Sequence, residues 1–368
     1  MNASLRRHPV LRWAAPGAAL ALVLAGSQVA AHWPAEASTN LPPRTAAQLL
    51  TDLQRAQPVA LSGTVTATMS LGLPQLPEGM AGGDPTSPVG LLSGTHTAKV
   101  WYDGKVSSRI AVLGDSAETD LITGPHGVWL WKSADKSVLH LAAPSGKAMT
   151  HQKAPATGAS LPAQLSSPDG VSKWILQMLD PTTKVSTTSN DRVAGRAAYE
   201  LVLTPKTSAT KIGSVRIAID AEHHLPLRAE VFARGASKAA INVGFTSLSF
   251  GTPPASRFDF TPPPGAKITT PNMNDHKAPA RAMHPKVAAP RVVGSAWSSV
   301  LVGQVPMKST ANTKDDSLQG MLRLLPKVSG RWGSGHLLDT ALFSAVLTDD
   351  GHFAVGAVQP TTLYAALG

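Results

Sequence analysis

The sequence predicts a mainly β fold with covering helices (α+β): a long curved antiparallel sheet followed by a small C-terminal α+β domain. Three observations carry this. Short alternating segments follow one another through tight turns, without the crossover helices that parallel strands require. Amphipathic helical spacing occurs in the body at two places, both suited to covering a sheet. A proline-rich stretch then sets off a tail of different rhythm.

The chain has 368 residues, no cysteine and a formal net charge of +10. Residues 1–37 read as a signal peptide or N-terminal membrane anchor. Arg6, Arg7 and Arg12 form a basic start, Trp13 to Ala31 is almost entirely apolar, and Ala35-Glu36-Ala37 is a small-x-small cleavage site. Cleavage after Ala37 leaves a secreted domain; retention leaves an apolar stretch of about 19 residues as a single-pass anchor. Both outcomes place the rest of the chain outside the cytoplasmic membrane, secreted or tethered to its outer face. The lack of cysteine excludes disulfides, thiol catalysis, thiolate metal sites and an acylated N-terminal cysteine.

The body, residues 44–260, opens with a helix over Thr45 to Ala56, where Thr45 and Gln48 are spaced as a capping box and Leu49, Leu50 and Leu53 share a side. Val59 to Ser70 reads as a strand. Ala98, Val100 and Tyr102 alternate with Lys99 and Trp101, and Asp103-Gly104 predicts a two-residue turn into Val106 to Leu113. Glu118 to Thr123, Val128 to Trp131 and Val138 to Leu141 continue the meander. Val171 to Leu179 is the second covering helix, with Trp174 on its apolar face. Five more strands follow, at Val185 to Ser189, Ala197 to Thr204, Ile212 to Asp220, Leu227 to Ala233 and Ile241 to Phe250. In the last, the apolar parity changes between Phe245 and Leu248, which predicts a bulge near Thr246.

Two stretches, Gly72 to Gly90 and Pro144 to Gly170, read as long loops. Residues 261–291 read as a Pro-rich linker, and 292–368 as the small C-terminal domain. There the pattern places strands at Trp297 to Val305, Leu342 to Leu347 and Phe353 to Val358, and helices at Ser317 to Leu325 and Thr361 to Leu367. Asp349-Asp350-Gly351 is a turn without the repeated oxygen donors of a calcium loop.

No catalytic constellation emerges. Neighbouring His223 and His224 precede Leu225-Pro226 in a hairpin turn and are badly placed to share a metal. Gly333-Ser334-Gly335-His336 sets a serine near a histidine without a third group. No GxSxG elbow, HExxH helix or phosphate loop is present. No catalytic, metal-ligating or cofactor-binding residue is therefore expected. Scattered charge and few aromatic residues on the strands make nucleic acid a poor partner.

The run Val193-Ala194-Gly195-Arg196-Ala197-Ala198-Tyr199-Glu200-Leu201, then Ile219-Asp220 and Leu225-Pro226-Leu227, resembles exported actinobacterial proteins of the outer-membrane lipoprotein carrier superfamily, the LolA-like group. Gly244 to Phe250, Phe258-Asp259-Phe260 with Pro262-Pro263-Pro264-Gly265, Trp101 to Lys105 and Gly127 to Trp131 carry the same likeness. The resemblance implies an incomplete antiparallel barrel covered by helices. It implies two classes of activity, lipoprotein carriage and restraint of an anti-sigma factor by a periplasmic sensor, and the sensors commonly have an added C-terminal domain.

The expected function is non-enzymatic binding of a lipid, lipoprotein acyl chain or similar amphiphile. An acyl chain would gain about 0.8 kcal/mol for each methylene removed from water. Trp129, Trp131, Trp174 and Phe245 are the candidates for the apolar ligand face. The alternative is an envelope sensor or regulatory module whose partner is a membrane-associated protein.

Overall fold

The computed structural model describes residues 41–73, 90–114, 116–125, 127–142, 181–270, 290–305, 322 and 324–368. The export segment at 1–37, the covering helix at 171–179 with Trp174, and the loop at 144–170 lie outside the described residues. So do most of the loop at 72–90, of the linker and of the tail helix expected at 317–325.

Twelve strands form one sheet. They are β1 (Leu61–Ser70), β2 (Ser93–Tyr102), β3 (Ser108–Leu113), β4 (Glu118–Gly124), β5 (Gly127–Lys132), β6 (Ser137–Ala142), β7 (Thr183–Val193), β8 (Arg196–Pro205), β9 (Ile212–Asp220), β10 (Pro226–Ala233), β11 (Ala239–Phe250) and β12 (Lys267–Thr269). Their spatial order is β12-β6-β5-β4-β3-β2-β1-β11-β10-β9-β8-β7. All pairings are antiparallel except that of β12 with β6. Among the described residues β7 and β12 do not pair with each other, so this is a curved antiparallel incomplete barrel.

Helix α1 (Ala46–Arg55) begins at the expected box: Gln48 N–H donates to Thr45 Oγ1 at 3.3 Å, and Thr45 N–H to Gln48 Oε1 at 2.8 Å. These bonds satisfy donors that the first helical turn otherwise leaves unpaired. Its Leu49 and Leu53 pack on Val65, Ala67 and Met69 of β1 and on the buried rows of β8, β9 and β11. The side of the sheet that α1 covers is called the inner face below.

The bulge falls where the parity change places it. Ser247 pairs with Thr64 and Phe245 with Val65, leaving Thr246 unmatched, its hydroxyl donating to Thr64 O at 3.3 Å. Phe245 and Leu248 thereby both face inward despite their odd spacing.

Two body features differ from the sequence reading. Asp103-Gly104 does not make a two-residue turn: the loop runs to Ser107, because Asp103 Oδ1 accepts the backbone N–H groups of Lys105, Val106 and Ser107 at 2.7, 2.9 and 3.0 Å. Gly104 supplies the left-handed conformation there, at φ 80°. The opening of the Pro-rich stretch also contains β12, which closes the otherwise unpaired edge of β6.

A second sheet has six strands: β13 (Arg291–Val293), β14 (Val300–Gln304), β15 (Lys327–Gly330), β16 (Gly333–Asp339), β17 (Ser344–Thr348) and β18 (His352–Gly356), in the order β13-β14-β18-β17-β16-β15. Helix α2 (Pro360–Leu367) starts on proline, whose missing N–H costs nothing there, and packs Leu363 and Ala366 on Val300, Val302, Val346 and Ala354. Trp297 lies in a short 3₁₀ turn before β14, and Leu342 precedes β17 in a turn; neither belongs to a strand.

The two sheets share core. Leu342 and Ala357 are buried in the main cluster, with Trp297, Ala341 and Phe343 packed against it. Thr210 bridges to Val358, Lys211 N–H donates to Ala357 O at 2.8 Å, and Ala341 N–H donates to Leu71 O at 2.8 Å. Trp297 Nε1 donates to Thr183 Oγ1 at 2.8 Å. Buried Lys211 donates through its ammonium to Asp339, Thr340 O and Ser344.

Candidate functional site: a half-open apolar face

The inner face changes character along the sheet. On β8 and β9 it is filled, with Leu201, Leu203 and Ile219 at 0% exposure and Ile217 at 1%. On β2 to β6, strand register aligns Val100, Ile110, Leu121, Leu130 and Leu139 in one transverse row starting at Gly63 of β1. All five are only half-buried. Four inter-strand steps give the row a span of about 19 Å.

The row has two different borders. One side carries Ala98, Val112, Thr119, Lys132 and Ser137 in register; the other carries Tyr102, Ser108, Thr123, Val128 and Leu141. Phe245 meets the row beside Gly63. A Cβ on Gly63 would lie 2.9 Å from the Phe245 ring, so only glycine lets that ring rest on β1.

Of the residues expected to share one ligand face, Phe245 is inward, whereas Trp129 and Trp131 point outward. Odd positions of β5 are opposite in parity to Leu130, and register ties Trp129 to Ile122, Arg109 and Trp101 on the outer face. There Trp129 stacks on His140 with ring centroids 3.6 Å apart, and Phe260 lies 5.5 Å from Trp129 and 6.3 Å from Trp131. These tryptophans hold the segment that crosses from β11 to β12. Sequence reasoning missed Leu121, Leu130 and Leu139, because Val128-Trp129-Leu130-Trp131 is apolar on both parities.

The outer face is where charge collects. Buried Asp120 pairs with Arg109, while among the described residues Asp120 Oδ1 and Arg109 Nε have no hydrogen-bond partner. Burial first, then the Glu118 hydrogen bond, push the Asp120 carboxyl up to about 7 against the pull of Arg109. Two shallow depressions on this side, of about 310 and 330 Å³, are flanked by Ser62, Lys99 and Trp101 and by Ser214, Arg216 and Arg234 respectively. Their polar walls do not continue the inner aliphatic row.

Asp220, Glu222 and His223 bring potential ligand atoms within 4.8 Å of one another. Fully buried Asp220 is already saturated: Arg196 grips both its oxygens, and the N–H groups of Glu222 and His223 donate to Oδ2 at 3.2 and 2.7 Å. Burial alone would raise this carboxyl, but Arg196 and His223 hold it below its ordinary value. Phe250 stacks on His223 at 3.9 Å, and His224 takes φ 56° in the turn, as a hairpin lock requires. In the tail, Ser334 donates to Asp349 at 2.5 Å while His336 Nδ1 lies 3.4 Å from Leu325 O; among the described residues no hydrogen bond joins Ser334 to His336.

No protein-family model matches the chain, and no curated protein sequence matches it. Solved structures do match. The MucA/MucB complex of Pseudomonas aeruginosa matches at 16% identity over 87% of this chain and 95% of that chain, with a TM-score of 0.43. MucB alone matches at 14% identity over 86% and 94%, with a TM-score of 0.40. The LolA superfamily protein NE2245 from Nitrosomonas europaea matches at 10% identity over 59% and 99%, with a TM-score of 0.23. The LolA group named from the sequence motifs is thus present among these similar structures.

Proposed function

We propose that the chain is an extracytoplasmic, non-enzymatic binding protein that receives the acyl chain of an amphiphile on the inner face of β2 to β6. The observation that supports this is the contrast within one face. Aliphatic side chains fill β8 and β9 completely, yet the aligned row from Val100 to Leu139 keeps surface available. Each leucine that passes from half-exposed to covered adds to affinity in proportion to the area removed from water, at about 25 cal/mol per Å².

Native mass spectrometry of the gently purified full chain should detect bound lipid, and a fluorescent apolar reporter should bind with micromolar or better affinity. Leu121→Asn and Leu130→Asn should each weaken reporter binding about tenfold, while outward Lys99→Gln should not. Equal binding by all of these proteins would remove the reading.

A second reading, an envelope sensor or regulatory module holding a membrane-associated protein, is favoured by the shared core between the sheets, which fixes the C-terminal sheet against the barrel. Crosslinking in cells, with and without Lys211→Met to loosen that joint, tests it. A partner captured equally by both would count against a role for the joint.

A further inference from the structure

The apolar row is not electrostatically symmetric about its length. Among the described inward positions of β2 to β6, Lys132 is the only lysine, arginine or carboxylate, and it borders the row in register with Thr119 and Ser137. It is half-buried, and among the described residues no ion pair reaches it. Asp135, in the following turn, accepts at Oδ1 from Ser137 Oγ at 2.6 Å and from Ser137 N–H at 3.1 Å. The Ser137 hydroxyl first, with help from the Lys132 charge, holds its carboxyl below the ordinary value, but no ion pair joins Asp135 to Lys132.

His96 lies on the same side of the row, one register step further from it, at 7% exposure. Among the described residues its Nε2 has no hydrogen-bond partner. The opposite border offers Tyr102, Ser108 and Thr123 but no charge. One side of the face therefore carries an ammonium that no ion pair holds among the described residues, and the other is neutral.

Resting on the reading that the inner face takes an acyl chain, we infer that the amphiphile carries an anionic head and that Lys132 receives it. An ammonium beside a low-dielectric apolar surface interacts with an anion far more strongly than one in open water. The aliphatic row takes up the chain irrespective of its head, so the lysine acts on selectivity and the leucines on affinity. A carboxylate and a phosphate monoester share the recognised chemistry, and both fit a compact, freely rotating ammonium.

The test uses the full chain and competition against a fluorescent apolar reporter by dodecanoate, dodecyl phosphate and dodecanol. Wild type should bind the two anions about tenfold or more tightly than the alcohol, as expected for a charge-assisted contact. Lys132→Gln should abolish that preference while leaving dodecanol binding unchanged, and Lys132→Arg should preserve it. Circular dichroism establishes that each variant is folded. The ratio of the two anions identifies which head the site prefers. Equal binding of alcohol and anions by wild type, or a preference that survives Lys132→Gln, would overturn the inference while leaving the acyl-chain reading standing. Failure of all three probes to displace or replace the reporter would instead remove the inner-face reading, and the inference with it.

Discussion

Lys211, just before β9, and Asp339, at the end of β16, form an ion pair across the boundary between the two sheets, with the same ammonium donating to Thr340 O and Ser344. This cation is buried, and its three acceptors lie on β16, β17 and the turn that joins them. The two sheets are thus joined by desolvated polar contacts as well as by Leu342 and Ala357.

Lys211→Met should lower stability by about 1–3 kcal/mol, because buried acceptors lose their donor while Asp339 retains partial access to water. Burial alone would raise the Asp339 carboxyl, but Lys211 and Ser344 outweigh it and hold it below the ordinary value of 3.8. A carboxyl depressed in the folded state contributes stability that is present above the unfolded pKa and lost as pH falls through the folded one. Thermal melts between pH 6 and pH 2 should therefore show a smaller acid loss for Asp339→Asn than for wild type.

Asp120 has the opposite sign. Its folded pKa, raised by burial to about 7, exceeds the ordinary value of 3.8, so the folded protein binds this proton more tightly than the unfolded chain. Its contribution falls as pH rises from about 4 to about 7 and is constant above that. Asp120→Asn should flatten stability across this window and melt above wild type at pH 8. A wild-type curve already flat between pH 5 and 8 would contradict the assignment.

Removing Arg196 should be more damaging than removing a surface charge. Asp220 is fully buried beneath it, and Arg196→Met leaves that carboxylate without its bidentate partner. A loss of about 3–5 kcal/mol in chemical denaturation is expected. Replacing exposed Glu222, the outer member of the same cluster, should cost under about 1 kcal/mol.

Gly63→Ala should destabilise by about 1–3 kcal/mol, because the new methyl meets the Phe245 ring and the Ser247 carbonyl. Gly63→Ala combined with Phe245→Leu should recover part of this. A double variant no more stable than the single one would show that the carbonyl clash dominates.

How far the fold can be read from the sequence depended on whether local chemistry was decisive. The Thr45–Gln48 box and the Thr246 bulge each left a signature in residue type or parity, and both occur in the structure. β12 has three residues, and its pairing with β6 depends on chain far away in sequence, so alternation gave no signal. β15 and β16 were hidden by Gly330, Gly333 and Gly335, residues that ordinarily read as turn. Gly335 is required there because a Cβ would strike the Leu347 carbonyl. The inner row was visible as apolar residues but not as a face: β5 is apolar on both sides, and only the register to Arg109 and Asp120 separates Leu130 from its tryptophan neighbours.

The strand that borders β6 has a consequence for the order in which the protein assembles. β6 pairs with β12 across 130 positions of chain (267 − 137). As the chain emerges from its N-terminus, the backbone groups on this side of β6 wait without their native partner until the whole of β7 to β11 has passed. β12 is the last strand of the main sheet in chain order, so this flank is the last to be sealed during synthesis. Until then it is the natural place for a chaperone, or for a second copy of the chain, to attach.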